Sequence, residues 1–369
     1  MYIKHLTIKN FRCFSKKDIS FDSQITILQG SNGTGKTTIL EALHYLCYMR
    51  SFRTHTPRDL VRFENDNFFV KAKFSVDSKL DIPEMGINNL DYELQVGFSK
   101  GKRVVKLNKK PVSSFAQLID FYRIITLTED DLGLIKGGPE LRRSFIDNSI
   151  FLTDPGFLAL LREYKKILGQ RNTLIQSANL STESYYLWTK LLWTKGRVIQ
   201  IRRKKLLNRY EKTINTALSE IFEKKLSVKF TYKSKNVDLD EDFEDFETKL
   251  EELKAKEARF YRSLFGAHLD DFTVEFQSKK SKAYASRGQQ KLVVLLLKVA
   301  QVMYLREQKG PVVLLLDDFM TDFDEEKVNL LVDFLISCKN QLIFTSPLKL
   351  GFFEKKLYSM GAQKLILTH

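Results

Sequence analysis

The spacing of hydrophobic and polar positions changes twice along the chain. Near the start, YIKHLTIKNF alternates between apolar and polar residues as a half-buried strand does, and QITIL follows as a short β-branched run. After a glycine-rich stretch, Ile39, Leu43 and Leu46 recur at helical spacing, which predicts a helix. The segments FFVKAKFSV, DYELQVGFS and RVVKLNKKPV then predict an antiparallel meander.

Long helical patterns occupy the middle of the chain, over about residues 151–264. The segments PGFLALLREYKKILGQRNTLI and YYLWTKLLWTKGRVIQIRRKKLLNRYEKTINTALSEIF carry apolar residues at helical spacing. No heptad repeat is sustained through the whole region, so the pattern favours a short helical arm over a long coiled coil.

The last hundred residues return to alternating strands and helices. PVVLLL, at 311–316, is almost wholly apolar, as a strand covered on both faces should be, and QLIFT is similar. Strands at both ends of the chain predict one α/β domain with a mostly α-helical insertion. We expect its N-terminal part at 1–150, the helical arm at 151–264 and its C-terminal part at 265–369.

Composition narrows the class of partner. A chain of 369 residues suits two domains or one domain with a large insertion. The net charge of +15 favours nucleic acid first and anionic membrane second, with a lysine-rich host proteome as the alternative. Three widely separated cysteines indicate neither a disulfide framework nor a metal cluster. With no apolar stretch of membrane-spanning length and no leader pattern, we expect a cytoplasmic protein without a membrane partner.

The stretch GSNGTGKT, at 30–37, matches the phosphate-binding pattern G-x-x-x-x-G-K-[ST]. In such a loop successive backbone N–H groups point at phosphate oxygens, and the following helix adds its dipole. We expect Lys36 to reach the β- and γ-phosphates of ATP and the Thr37 hydroxyl to ligate Mg²⁺. The candidate nucleotide-binding residues of this loop are Gly30, Ser31, Asn32, Gly33, Thr34, Gly35, Lys36, Thr37 and Thr38.

A nucleotide site of this kind needs a second acidic element, and PVVLLLDD supplies one. Two adjacent carboxylates at the end of a buried strand are costly unless a cation or hydrogen bonds offset them. We expect Asp317 to hold the Mg²⁺ through water and Asp318 to polarise the attacking water. A solvent-exposed turn that begins with two aspartates is the alternative.

The stretch SRGQQK has two interpretations. Ser286 and Gln289 match a helix capping box, which is a purely structural role. A serine at a helix N-terminus beside Gly288 also suits a γ-phosphate. The residues alone leave both open.

Basic residues cluster on the predicted helical arm. Such clusters suit contacts to the DNA backbone, with a solvated helix face as the alternative. No base-reading module is evident, so DNA binding would depend on structure rather than on sequence. The candidates are Arg162, Lys165, Lys166, Arg171, Lys195, Arg197, Arg202, Arg203, Lys204 and Lys205.

The order of these motifs resembles the ABC-type ATPases of the SMC kind and, more narrowly, the RecF family of recombination-repair proteins. The resemblance spans nearly the whole chain. It rests on KNFRCF, SNGTGKTTILEALHYL, RSFRT, EDDLGLIKGGPELRRSFID, GAHLDDF, SRGQQK and LLLDDFMTDFD. The chain departs from the family at Leu269, where an arginine is usual, and at Glu129, where a proline is usual.

The resemblance implies an ABC-type ATPase head and assigns further residues to the site. The signature motif, which completes the ATP site of a second subunit, would be Ser286, Arg287, Gly288 and Gln289. Thr321–Asp324 would form the D-loop, which touches the partner's site. Glu129 and Asp130 fall in the Q-loop region, which senses Mg²⁺ and the γ-phosphate. Thr345 stands where many ABC ATPases carry a switch histidine.

The implied function is an ATP-dependent DNA-binding protein of recombinational repair and replication restart. An ATP-driven homodimer would clamp double-stranded or gapped DNA, and weak, DNA-stimulated ATP hydrolysis would release it. RecR, with RecO, is the protein partner that the resemblance implies. The alternatives are a P-loop kinase of a small molecule, a RecF-like SMC-family ATPase with different partners, and a DNA-binding protein that only stores nucleotide.

Overall fold

The structure, a computed structural model, describes residues 1–75, 91–112, 118, 123–177, 181–221, 226–319, 323–348 and 351–368. Its strands, in chain order, are β1 (Tyr2–Phe11), β2 (Phe14–Ser20), β3 (Ile25–Gly30), β4 (Asn67–Ser75), β5 (Asp91–Ser99), β6 (Lys102–Leu107), β7 (Lys110–Pro111), β8 (Ile124–Leu127), β9 (Val228–Lys233), β10 (Asp271–Phe276), β11 (Lys279–Lys280), β12 (Val313–Leu316), β13 (Gln341–Ser346) and β14 (Gln363–Leu367). Its helices are α1 (Lys36–Tyr48), α2 (Gly133–Lys136), α3 (Pro139–Thr153), α4 (Gly156–Gln176), α5 (Thr182–Ile221), α6 (Phe243–Glu247), α7 (Leu250–Phe260), α8 (Ser281–Tyr284), α9 (Arg287–Lys309), α10 (Glu325–Ser337) and α11 (Phe352–Ser359).

The chain divides into two compact units. The first joins Met1–Asp131 to Val294–His369, and the second is Leu132–Val293. The predicted α/β fold with a head built from both chain ends is therefore confirmed. The domain boundaries expected after residues 150 and 264 stay a prediction.

A parallel sheet lies at the centre of the first unit, with the strand order β14-β3-β13-β12-β8. Every residue of β3, β12 and β13 is buried, which explains their nearly continuous apolar runs. The carboxyl ends of parallel strands meet at one edge of a sheet, so the segments that follow β3 and β12 are brought together there.

An antiparallel sheet with the order β2-β1-β4-β5-β6-β7 completes the first unit. The predicted meander is confirmed, since β4, β5 and β6 pair antiparallel in sequence order. Buried residues alternate along β4 and β5 and join a core that includes Leu43 and Leu46 of α1. The helix after the glycine-rich loop is thus held by this core.

The second unit is mostly helical. Its longest element, α5, has 40 residues and packs against α4, α3 and β9. A small antiparallel sheet with the order β11-β10-β9 accompanies the helices. Within the described ranges, no helix is both long and apolar enough to cross a membrane.

Candidate nucleotide-binding site

The loop between β3 and α1 has a backbone that its glycines make possible. Gly33 and Gly35 have φ angles of 88° and 90°, in a region that residues with a Cβ rarely adopt. A Cβ on Gly35 would lie 2.4 Å from Cζ of Phe14, and one on Gly30 would lie 2.5 Å from Oγ1 of Thr34. Gly30 and Gly35 are therefore required by the fold of the loop itself.

Lys36 is the first residue of α1 and its side chain arches back over the loop. Its ammonium donates to the carbonyl oxygen of Gly30 at 2.8 Å and to that of Ser31 at 2.9 Å. Burial lowers the pKa of Lys36, and the nearby carboxylates of Asp318 and Asp317 oppose that shift. The ammonium lies where the pattern predicts contact with the phosphates.

The carboxylate of Asp317 accepts hydrogen bonds from two hydroxyl groups that belong to different elements. Thr37 Oγ1, on α1, donates to Asp317 Oδ1 at 3.0 Å, and Thr345 Oγ1, on β13, donates to the same oxygen at 2.9 Å. Burial raises the pKa of Asp317, while the hydrogen bonds from Thr345 and Thr37 act in the opposite direction. The hydrogen bonds that a half-buried carboxylate needs are thus provided.

The same arrangement fits a magnesium ion. Mg²⁺ prefers oxygen ligands, and it is usually held by one or two protein groups plus substrate phosphates. The Thr37 hydroxyl and the Asp317 carboxylate are two such oxygens beside the phosphate-binding loop. Their roles as metal ligands stay a prediction.

Asp318 lies in an exposed turn after β12. Its φ of 46° is in the left-handed region, which is uncommon for a residue with a side chain. The turn is held by a hydrogen bond of 2.8 Å from the Asp318 N–H to Thr345 Oγ1. Thr345 therefore connects both aspartates to β13. The general-base role of Asp318 stays a prediction.

The region predicted to be the Q-loop is a 3-10 turn, Glu129–Leu132, that follows β8. Glu129 and Asp130 are exposed on it. The neighbouring Asp131 accepts the N–H of Thr128 at 2.9 Å and pairs with Lys298 at 2.7 Å. Lys298, a charged residue within the apolar run of α9, therefore anchors this turn.

One buried acid beside the loop was missed. Glu41 lies within the apolar face of α1 and is fully buried. Its carboxylate accepts from Arg12 at 2.7 Å and from the Ser51 hydroxyl, and it lies 3.6 Å from Arg53. The charge of Arg53 also partly opposes the rise that burial causes in the pKa of Asp317. The available signal was an acid inside a helical apolar stripe, which requires partners when buried.

The SRGQQK stretch, in the second unit, starts α9. The predicted capping box is confirmed: Ser286 Oγ accepts the Gln289 N–H at 3.3 Å, and Gln289 Oε1 accepts the Ser286 N–H at 2.8 Å. Ser286 and Arg287 are exposed, and Gly288 and Gln289 are half-buried. The signature role implied for these four residues stays a prediction.

The predicted D-loop is only partly within the described residues. Thr321 and Asp322 lie outside them. Asp324 caps α10, because its Oδ1 accepts the Lys327 N–H at 2.9 Å. Its contact with a partner's site stays a prediction.

The GAHLDDF segment is a packing centre of the second unit. Asp270 is fully buried and accepts from Tyr232 at 2.6 Å and from Gln200 at 2.9 Å. Asp271 pairs with the guanidinium of Arg142 through two bonds, at 2.6 and 2.9 Å. These acids therefore hold the unit together.

Two of the ten basic arm residues are not surface groups. Arg171 is fully buried and its guanidinium contacts Glu257 at 2.6 Å. Arg203 is 3% exposed and pairs with Asp147 at 2.7 Å. The prediction that these two contact DNA is therefore wrong, because their charges are neutralised inside the fold. The exposed members of the set are Arg162, Lys165, Lys166, Arg202, Lys204 and Lys205.

The fold and the site define a class. A parallel sheet carries a phosphate-binding loop after β3 and a pair of aspartates after β12, and a helical insertion separates the two halves. This is the architecture of an SMC-like ABC ATPase head. The sequence profile of the family described as "RecF/RecN/SMC N terminal domain" matches residues 2–363.

The chain belongs to the RecF family within that class, as the resemblance indicated. It is 31% identical to the "DNA replication and repair protein RecF" of Leptospira interrogans over 95% of this chain and 93% of that protein. The protein of the same name from Chloroherpeton thalassium is 30% identical over 98% and 99% of the two chains.

Solved structures show the same fold. One described as "Structure of the recombination mediator protein RecF-ATP in RecFOR pathway" superimposes with a TM-score of 0.79 at 24% identity, covering 94% of this chain and 92% of that one. An Smc head domain from Pyrococcus furiosus superimposes with a TM-score of 0.56 at 16% identity, covering 96% and 91%. At these identities the likeness supports the fold.

Proposed function

We propose that this chain is an ATP-dependent DNA-binding protein of DNA replication and repair. The name shared by its relatives, "DNA replication and repair protein RecF", supports the process. The convergence of the Thr37 and Thr345 hydroxyls on Asp317, beside the phosphate-binding loop, is the observation that carries the ATP-dependent part.

In the proposed site, the glycine-rich loop and Lys36 bind the phosphates of ATP. Lys36 exchanges its two carbonyl acceptors, on Gly30 and Ser31, for phosphate oxygens. Thr37 and Asp317 hold Mg²⁺, which neutralises phosphate charge when it is bound. Asp318, exposed after β12, orients the attacking water.

The proposal extends to a second copy of the chain. Ser286, Arg287, Gly288 and Gln289 start α9, where the positive end of the helix dipole favours an anion. Apart from its chain neighbours and the backbone of its own helix, a Cβ built on Gly288 would meet no atom of the described residues within 4 Å, so packing inside the chain does not require glycine there. Close approach by the γ-phosphate of a partner-bound ATP supplies a reason for it.

Bound ATP would thus favour a closed homodimer, since a ligand stabilises the state that binds it better. In that dimer Asp324 contacts the partner's site, and Asp130 and Thr345 respond to the γ-phosphate. Slow, DNA-stimulated hydrolysis then opens the dimer. Exposed arm lysines and the net charge of +15 suit a clamp on double-stranded or gapped DNA. RecR, with RecO, is the proposed protein partner.

Dimerisation tests this proposal directly. Lys36→Met removes the phosphate-binding ammonium, so we expect ATP to shift the wild type, but not this variant, to a dimer in size-exclusion chromatography. Ser286→Arg should still bind ATP as a monomer and should fail to dimerise, because it changes only the half of the site offered to the partner.

An exposed lysine distant from the loop in sequence, Lys102→Met, is the matched control and should dimerise normally. Dimerisation that survives Lys36→Met would remove ATP as the trigger. Loss of nucleotide binding in monomeric Ser286→Arg would contradict the signature assignment. Phosphate release without a phosphorylated product would separate an ATPase from a small-molecule kinase.

A further inference from the structure

An apolar row runs along the solvent side of α5. Leu187 is 55% exposed, Leu191 38%, Val198 39% and Ile201 51%. Together with exposed Thr194, they follow one another at alternating steps of four and three residues. We refer to these five residues as the α5 seam. Large apolar side chains seldom form a contiguous exposed group unless the group binds something.

The spacing of the seam indicates the shape of its occupant. Steps of four and three residues keep side chains on one face of a helix and match the a and d positions of a coiled coil. At about 1.5 Å per residue, Leu187 to Ile201 extends for roughly 20 Å. A helix laid along α5 could cover that length with two heptads of its own.

The charge around the seam indicates the chemistry of the occupant. From Leu187 to Lys212 the sequence has nine basic residues and one acidic residue, Glu211. Three of the nine are paired within the unit, Arg203 with Asp147, Lys195 with Glu163 and Arg202 with Asp154, so the charge available to a partner comes mainly from the exposed lysines. The Glu211 carboxylate accepts a hydrogen bond from the N–H of Phe230 at 2.6 Å. Exposed Lys205 and Lys212 continue the heptad row of Leu191 and Val198, so the apolar seam ends in a basic one.

We propose that the α5 seam docks an acidic amphipathic helix of another protein. Apolar residues of that helix cover the seam, and its flanking carboxylates face the lysines and arginines of α5. This inference does not depend on ATP binding or on the proposed clamp.

The two other occupants fit less well. A second copy could align its own seam antiparallel to this one, but its basic flanks would then face like charges, which is destabilising. DNA would be attracted by the basic residues, but its phosphates gain nothing from exposed leucine, valine and isoleucine.

The test uses the full chain and three synthetic peptides, each three heptads long and labelled with fluorescein. The first has leucine at a and d and glutamate at e and g. The second has lysine at e and g. The third is a scramble of the first that lacks an apolar face. Fluorescence anisotropy without nucleotide should show saturable binding of the first peptide, at least about tenfold tighter than of either control peptide.

Variants locate the binding. Leu191→Gln combined with Val198→Gln should weaken binding of the first peptide at least about tenfold, with an unchanged circular dichroism spectrum because both side chains are partly exposed to solvent. The matched control is Phe260→Gln, which changes another exposed apolar residue of the second unit (56% exposed) and should leave binding intact.

Several results would overturn the proposal. Equal binding of the scrambled peptide would mean that charge alone acts. Unchanged binding in the double variant would place the peptide elsewhere. A nucleotide-free dimer that the double variant abolishes, seen by analytical ultracentrifugation, would assign the seam to a second copy. An equal loss of duplex DNA binding in the double variant would assign it to DNA.

Discussion

Thr345 occupies a central position because its hydroxyl serves both aspartates. It donates to Asp317 Oδ1 at 2.9 Å and accepts the Asp318 N–H at 2.8 Å. A threonine can do both at once, since a hydroxyl has one donor and two acceptor lone pairs. The side chain therefore fixes the relative position of the proposed Mg²⁺ ligand and the proposed general base.

Removing that hydroxyl has a predictable result. Thr345→Val keeps the shape but leaves Asp317 with one donor fewer and the Asp318 N–H without this acceptor. We expect a loss of about 1–3 kcal/mol in stability and a fall in ATP turnover. Thermal unfolding and phosphate release measure the two effects.

Thr345→Ser is the matched control, because it keeps the hydroxyl and should restore most of both properties. A Thr345→Val protein with wild-type stability and turnover would show that the hydrogen bonds contribute little.

The buried imidazole of His44 should make the free energy of unfolding depend on pH. Burial, with smaller contributions from Arg50 and Lys298, lowers its pKa to about 3 from an ordinary value of 6.5. Above pH 6.5 the imidazole is neutral in both states. Below it, the unfolded chain takes up a proton that the folded chain does not, so stability falls as the pH drops from 6.5 towards 3. Between pH 6.5 and 5, this one group costs at most about 2 kcal/mol.

His44→Gln should therefore flatten the fall of the unfolding temperature between pH 6.5 and 5. The substitution keeps a polar group near Thr126 Oγ1, which lies 2.8 Å from His44 Nδ1. Exposed His55→Gln is the control for replacing a histidine, and the flattening should be larger in His44→Gln. Equally steep profiles in both variants would mean that His44 is protonated alike in the two states.

At the scale of elements, the glycines at two helix starts differ in what surrounds them. Gly35 precedes α1 with a φ of 90° and leaves no room for a Cβ. Gly288 lies in the first turn of α9, where a Cβ would meet no other element among the described residues. The first is fixed by the fold, and the second is available for contact with another molecule.

This difference gives a paired prediction. Gly35→Ala should lower the unfolding temperature, because alanine is strained at that φ and meets Phe14. Gly288→Ala should leave stability equal or slightly higher, because alanine favours a helix. ATP-dependent dimerisation should nevertheless weaken at least about tenfold in Gly288→Ala. Normal dimerisation of Gly288→Ala would argue against a phosphate contact there.

The same scale shows what the sequence can and cannot predict. The glycine-rich loop, the capping box and the aspartates after β12 were predicted because each is a contiguous pattern with its own geometry. The ion pairs Arg171–Glu257, Arg203–Asp147 and Arg12–Glu41 were not, because their partners are far apart in sequence. From sequence alone an arginine on a helix is predicted to be exposed, because the buried carboxylate that pairs with it is close only in the folded structure.

At the scale of the whole molecule, ATP is proposed to create the DNA-binding state. Each phosphate that a basic residue neutralises releases counterions, so the slope of log affinity against log salt counts such contacts. If ATP closes a dimer on DNA, two sets of exposed arm lysines act together. We therefore expect a steeper slope with ATP than without it, measured on gapped and blunt duplexes by fluorescence anisotropy.

Two variants make that measurement decisive. Lys36→Met should show the shallow slope under both conditions, because it is expected not to close. Lys204→Gln combined with Lys205→Gln should bind ATP and dimerise. With ATP present, its slope of log affinity against log salt should nevertheless be shallower than that of the wild type by about one to two units per protomer. If the slope of the wild-type protein is the same with and without ATP, ATP does not create the DNA-binding state. A reduced slope in Lys204→Gln/Lys205→Gln without ATP as well would mean that the arms bind DNA independently of dimer closure.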